Sequence, residues 1–142
     1  MTSTKIINKF ILLNSKGEND IIDITNNVKK ILLESRLKNG IVTLFVVGST
    51  AAITTIEYEP GLQRDFPTML ERIAPKGIEY EHDSTWHDGN GHSHVRAALL
   101  GPSLTIPFVD GQLTLGTWQQ IIYLDFDNRP RQRRLIVQLV GE

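Results

Sequence analysis

Apolar positions along this chain fall in short runs, and most of those runs predict strands rather than helices. Residues 5–13 (KIINKFILL) read as a strand, and Asn14-Ser15-Lys16-Gly17 as the turn that ends it. Ile21, Ile22 and Ile24 predict a short extended piece. Thr25 stands where an N-cap is expected, and the run to Leu37 sets Val28, Ile31, Leu32 and Ser35 on one helical stripe. Asn39-Gly40 then stops that helix with residues suited to the left-handed conformation. Residues 41–47 (IVTLFVV) form the most hydrophobic run, β-branched and short, which predicts a buried strand. Gly48-Ser49-Thr50 breaks it and 52–58 (AITTIEY) resumes a strand. Pro60-Gly61 opens a helix over about 62–73, with Leu62, Phe66, Met69, Leu70 and Ile73 on one face and Pro75 closing it.

A polar stretch follows, after which 93–100 (SHVRAALL) predicts a short helix ended by Gly101-Pro102. Three further strands are expected at 103–109, 117–124 and 133–140, with turns at Asp110-Gly111 and Asp127-Asn128. Strands at both ends with two or three helices between them predict an α+β fold with largely antiparallel sheets. There is no internal repeat or low-complexity linker, so residues 1–142 are expected to form one domain.

Composition acts mainly by exclusion. A net charge of -1 gives no electrostatic reason to expect nucleic acid or an anionic membrane as partner. The absence of cysteine removes disulfides, thiolate metal ligands and thiol nucleophiles together. No apolar run reaches the roughly 18 residues needed to span a bilayer. Met1-Thr2-Ser3-Thr4-Lys5 leads into Ile6 and Ile7 and is interrupted at once by Asn8 and Lys9, so no signal-peptide core is seen. These readings predict a soluble, cytoplasmic protein.

The chemistry concentrates between His82 and His94. All 4 histidines of the chain lie in this stretch, with Asp83 and Asp88 among them. Histidine is the side chain best suited to hold a transition metal as a neutral ligand, and it titrates near neutral pH. The segment is Gly-, Asn- and Asp-rich, which suits a site better than a core. His92 and His94 would grip one ion together on a strand but diverge by about 200° on a helix. His82 and His87 are further candidate ligands; a solvated polar loop is the alternative reading.

Other candidates are more dispersed. Gly116 permits close approach of a ligand to the backbone, and Thr117 and Gln119 share a strand face opposite Trp118, which is otherwise a core anchor. Ser49 and Thr50, in the break between two strands, offer hydroxyls and amides to a phosphate or carboxylate, although the segment lacks the lysine and spacing of a P-loop. Arg129, Arg131, Arg133 and Arg134 form a basic cluster that either protects a sheet edge or holds a phosphate. Strand alternation sends Arg133 and Arg134 to opposite faces.

Several blocks together resemble the YjbQ family, also described as the secondary thiamine-phosphate synthase family. They are Asn90-Gly91-His92-Ser93-His94, Leu99-Leu100-Gly101-Pro102-Ser103, Gly111-x-Leu113-x-Leu115-Gly116-Thr117-Trp118-Gln119 and Val140-Gly141-Glu142. Ser49-Thr50-Ala51-Ala52-Ile53 and Glu57 are similar to an earlier block of that family. The resemblance implies a twisted antiparallel or mixed β-sandwich core with two or three helices, assembled as a homotrimer. It also implies metal binding, with His82, His92 and His94 as ligands, and a small phosphorylated metabolite as substrate. The implied activity joins hydroxymethylpyrimidine diphosphate to thiazole phosphate, giving thiamine phosphate and pyrophosphate.

For such chemistry Asp83, Asp88, Arg96 and Arg134 are the charges expected to balance the leaving pyrophosphate, and Arg96 or Arg134 to anchor the second phosphate. A histidine set favours Zn²⁺ or another transition metal, while Mg²⁺ would need oxygen ligands. Asn90 joins Ser49, Thr50, Gly116, Thr117 and Gln119 as a substrate-binding candidate. Two other functions compete. One is a metal-dependent hydrolase with Asp88 or Glu57 as base; the other is a non-enzymatic trimeric metal- or small-molecule-binding protein.

Overall fold

The first and last apolar runs of the chain are neighbours in space. In the computed structural model, which describes residues 3–142, strand β1 (Lys5–Ser15) pairs antiparallel with the last strand β8 (Arg131–Gly141) along its whole length. Met1 and Thr2, part of the N-terminal segment read above, lie outside the described residues. On the other side of β8 lie β3 (Gly40–Val46), β5 (Ser103–Val109) and the two-residue β6 (Gln112–Leu113), giving the order β1-β8-β3-β5-β6. A second sheet has the order β2 (Asp20–Asp23), β7 (Gln119–Asp125), β4 (Ala51–Glu57). Every pairing is antiparallel.

The two sheets face each other as a sandwich. Period-two alternation sends Ile11 and Leu13 of β1, Val42 and Leu44 of β3, and Leu135, Val137 and Leu139 of β8 into the space between them. Ile53, Ile121 and Tyr123 meet them from the second sheet. Helix α1 (Thr25–Ser35) contributes Val28 and Leu32 to the same core. The other face of the second sheet is also covered. Ala52, Ile122 and Leu124 pack there against Leu70 of α2 (Pro60–Ile73) and Ala97 of α4 (Gly91–Leu100). Burial on both faces explains why β7 reads IIYL without alternation: each such side chain contributes roughly 1.5–3 kcal/mol by leaving water.

The expected α+β sandwich therefore stands, with four helices among the described residues rather than two or three. The additional one is α3 (Glu81–Trp86), six residues long and too short to show a 3.6-residue period. Thr25 is the first helical residue rather than the cap. Its hydroxyl donates to Asp23 Oδ1 at 2.6 Å and accepts from the Ile121 backbone N–H at 2.8 Å, tying α1 to both strands of the second sheet beside it. The strand expected from residue 117 starts at Gln119, and the last strand starts two residues early at Arg131.

The outer face of the five-stranded sheet is apolar in rows. Ile6, Val140, Ile41 and Pro107 stand side by side across four strands, and so do Phe10, Ile136 and Phe45 across three. Between them runs a polar row, Asn8, Gln138, Thr43 and Thr105, closed by Gln138 Nε2 donating to Asn8 Oδ1 at 2.8 Å. No helix of the described residues is long and apolar enough to cross a membrane.

Candidate functional site

One end of the sandwich is plugged by charge rather than by hydrocarbon. Here the chain leaves β3 through Gly48-Ser49-Thr50 to enter β4, and β7 runs out through Asp125 and Asp127 toward β8. Arg133 points inward and grips Asp125 with two hydrogen bonds, Nε to Oδ2 at 2.7 Å and Nη2 to Oδ1 at 2.9 Å. Its Nη2 also donates to Thr50 Oγ1 at 2.7 Å. Arg131 Nε donates to Asp127 Oδ2 at 2.7 Å. Hydrogen bonding to Asp125 raises the Arg133 pKa against the opposing effect of burial. For Asp127, burial pushes the carboxyl up, but donation from the Asn128 N–H, the Asn90 amide and Arg131 holds it below the ordinary aspartate value. Removing one partner of such a buried pair costs about 3–5 kcal/mol, because the other charge is left uncompensated.

The pairing does not use up the cations. Among the described residues, neither terminal nitrogen of Arg131 and not the Nη1 of Arg133 makes a hydrogen bond. A Cβ on Gly48 would stand 3.3 Å from Nη1 of Arg133, so the bare backbone there leaves that nitrogen open. Between the sheets the buried phenol of Tyr123 is pushed up to about 12 by burial, and it stays neutral.

The histidine segment lies over this plug. Asp83 Oδ1 accepts from the Gly91 N–H at 2.9 Å, and Asn128 Nδ2 donates to the Asp88 carbonyl at 2.7 Å. Ser93 donates from its hydroxyl to the Phe126 carbonyl, holding α4 down on the chain that leaves β7. These bonds bring His82 of α3 and His94 of α4 together, with ring centroids 4.3 Å apart. The Asn90 amide spans from His82 to Asp127: Nδ2 donates to Asp127 Oδ1 at 3.4 Å, and Oδ1 meets His82 Nε2 at 3.1 Å. That amide orientation assigns the His82 proton to Nε2 and leaves Nδ1 as the free lone pair. Burial, then the neighbouring His82, pushes the His94 pKa down, which favours the neutral ring.

The resulting cleft has a volume of about 420 Å³. Of the residues expected from sequence, it brings together Ser49, Thr50, His82, Asp88, Asn90 and His94. It adds Trp86, Arg131 and Arg133. Of these only the basic cluster carried a sequence signal, and alternation alone did not say which arginine turned inward.

Other candidates lie elsewhere. His92 sits two residues before His94 on a helix, so it turns away, is buried, and packs with its ring 6.5 Å from that of Tyr80. His87 is exposed in a left-handed cap at the end of α3. Arg96 is buried and fully engaged: Nε donates to the Ala74 carbonyl at 2.9 Å, Nη1 to Asn19 at 2.8 Å and Nη2 to Glu71 at 2.6 Å. It fastens α4 to the end of α2 and is not part of the cleft lining. Arg134 faces the outside of the large sheet, 4.6 Å above the Phe10 ring. Glu57 and Gln119 are opposite each other at the far end of the β4–β7 pair, roughly 20 Å from the cleft at about 3.4 Å per residue. There Gln119 accepts from the Gly116 N–H at 3.0 Å and donates to Thr55 at 2.9 Å, forming a local turn with Gly116 and Thr117.

As a metal site, the His82–His94 pair supplies two imidazoles, one of them held from behind by Asn90 and Asp127 in the manner of supported metal ligands. Among the described residues no three histidine, aspartate or glutamate side chains converge to hold an ion. The pair thus fits part of a ligand set, with the remaining positions left to water or substrate.

The family described as UPF0047 protein YjbQ-like matches residues 9–142. A UPF0047 protein of Methanothermobacter thermautotrophicus is 42% identical over 123 residues, covering 87% of this chain and 84% of that protein. One from Methanocaldococcus jannaschii is 34% identical and covers 100% of this chain and 99% of its own. The crystal structure of a YbjQ-like protein of unknown function from Sulfolobus solfataricus superposes with a TM-score of 0.93 at 33% identity, over 99% of this chain and 100% of the other. A YjbQ/UPF0047 protein from Clostridium acetobutylicum gives 0.84 at 37% identity, over 92% of this chain and 98% of the other.

Proposed function

The chain belongs to the YjbQ-like UPF0047 family, and on that premise we propose that it is a cytoplasmic, metal-binding enzyme acting on a small phosphorylated metabolite. The observation that carries the reading is the meeting of two imidazoles and two arginines with free donors in one cleft. The proposed activity is of the thiamine-phosphate synthase type. The bond from the pyrimidine methylene carbon to diphosphate oxygen breaks, a bond from that carbon to the thiazole nitrogen forms, and pyrophosphate leaves.

In this reading Arg131 and Arg133 take the phosphate oxygens with the nitrogens they do not spend on Asp127 and Asp125. Ser49, exposed in the strand break beside Gly48, adds a hydroxyl. His82 and His94 would hold the divalent ion. A bound Zn²⁺ or similar ion supplies Lewis-acid withdrawal of charge from the departing oxygens. Asp88, in the same cleft, favours a second reading, a metal-dependent hydrolase with that carboxylate as base. The apolar rows outside the five-stranded sheet support the proposed homotrimer, since that face has no covering element in a single chain.

The test incubates the protein, with and without Zn²⁺, with hydroxymethylpyrimidine diphosphate and thiazole phosphate and quantifies thiamine phosphate and free phosphate. Arg131→Gln and His94→Ala are compared with wild type, Arg133 being avoided because its loss unfolds the plug. Expected is thiamine phosphate formation that falls at least about tenfold in both variants while their circular dichroism is unchanged, tenfold being the loss of about 1.4 kcal/mol of transition-state binding. Free phosphate without thiamine phosphate selects the hydrolase. Turnover indifferent to both substitutions rejects the cleft.

A further inference from the structure

We propose that Trp86 is the specificity-determining residue of the cleft, its indole forming the platform on which a planar heteroaromatic ring of the substrate stacks. The proposal rests on the reading of the cleft as a site for phosphorylated heteroaromatic substrates and adds the residue that holds and selects their ring. Trp86 is 70% exposed although tryptophan is among the side chains that gain most from burial. It nonetheless lines the cleft, where every other side chain is polar or absent.

Its placement follows from helical spacing. His82 and Trp86 are four residues apart on α3, so their side chains lie one above the other on the same face. The indole therefore continues the wall begun by the His82–His94 pair. Such a wall is firm. Asp83 is bonded to the Gly91 N–H, His82 to Asn90, and the Asp88 carbonyl to Asn128, so the segment carrying Trp86 is tied down from both sides. A ring lying on the indole presents its substituents to the histidines and directs a phosphate arm toward Arg131 and Arg133. Trp118 is equally exposed but lies beyond the far end of the β4–β7 pair and does not line this cleft.

The polarity of the remaining lining leaves stacking as the one large apolar contact available to a ligand. Each stacked ring adds roughly 1–3 kcal/mol, a factor of about ten to a hundred in affinity. A phosphorylated sugar has no π face to lay on the indole and would gain less, so the cleft discriminates by the ring rather than by the phosphate.

The experiment titrates pyridoxine 5′-phosphate, ribose 5-phosphate and inorganic phosphate into the full-length protein by calorimetry. Wild type, Trp86→Ala and Trp86→Phe are compared. The chain has 2 tryptophans, so a Trp118→Phe background isolates the Trp86 fluorescence. Expected are tighter binding of the ring-bearing phosphate to wild type, a loss of about tenfold to a hundredfold in Trp86→Ala, near-complete rescue in Trp86→Phe, and ribose 5-phosphate unchanged throughout. Quenching of Trp86 by the ring-bearing probe alone is the spectroscopic counterpart. Equal binding of both organic probes to wild type, or equal loss of both in Trp86→Ala, overturns the stacking role while the phosphate site stands. Failure of all three probes to bind overturns the cleft and the platform together.

Discussion

Arg133 and Arg134 are consecutive residues of β8, and the two-residue period of the strand sends them to different worlds. Arg133 enters the sandwich and neutralises Asp125, whereas Arg134 lies flat over Phe10 in solvent. The charge plug around Arg133 makes stability depend on acid. Asp127 titrates below its unfolded value in the native state, since the Asn128 N–H, the Asn90 amide and Arg131 all donate to its ionised form. Such a group adds stability above about pH 4. That stability drains away as the pH falls through the lower native value, because the unfolded chain takes up the proton first. The urea midpoint of wild type is expected to fall between about pH 5 and pH 3, and Asp127→Asn to begin lower at neutral pH and fall less steeply. Parallel curves for the two proteins would remove Asp127 from the account. From sequence the basic cluster and the two aspartates were all visible as residues. Their pairing was not, since it joins positions that only the meeting of two sheets brings together.

Helices α3 and α4 work as one frame. The predicted helix at 93–100 is present and starts two residues early, at Gly91. That glycine is there for space: a Cβ would lie 2.5 Å from the Cβ of Tyr80 and 2.7 Å from its Cγ. Gly91→Ala is therefore expected to cost about 1–3 kcal/mol, as overpacking of a close contact does, and to loosen α3 with it. Denaturant unfolding reads the first effect and faster amide exchange in 81–86 the second; a variant as stable and as protected as wild type refutes the frame. The helical state of 91–100 also decides the histidines. Their clustering was legible as a run of letters, yet His92 and His94 part company because a helix, not a strand, carries them. His82 joins His94 through α3, whose six residues gave no periodic signal to read.

At the scale of the whole molecule, the rows of Ile6, Val140 and Ile41 and of Phe10, Ile136 and Phe45 leave an apolar surface facing outward. Phe45 is 46% exposed at one end of the three-strand row, on the central strand of the sheet. Phe45→Glu is expected to break self-association, shifting size-exclusion and light-scattering mass toward that of one 16.0 kDa chain. A mass unchanged by the substitution would place any contact between copies elsewhere. Hydrophobic period and turn residues were enough to determine every strand but the two-residue β6, the helices α1, α2 and α4 and the α+β class, because those follow from local propensity and from which face a residue must bury. The family blocks in the chain marked membership equally well. What only the tertiary structure decided is which residues face one another: Arg133 rather than Arg134 or Arg96, His94 with His82 rather than with His92, and Trp86 over the cleft. Those choices are made by packing between elements distant in the chain, where geometry rather than local sequence selects the partner.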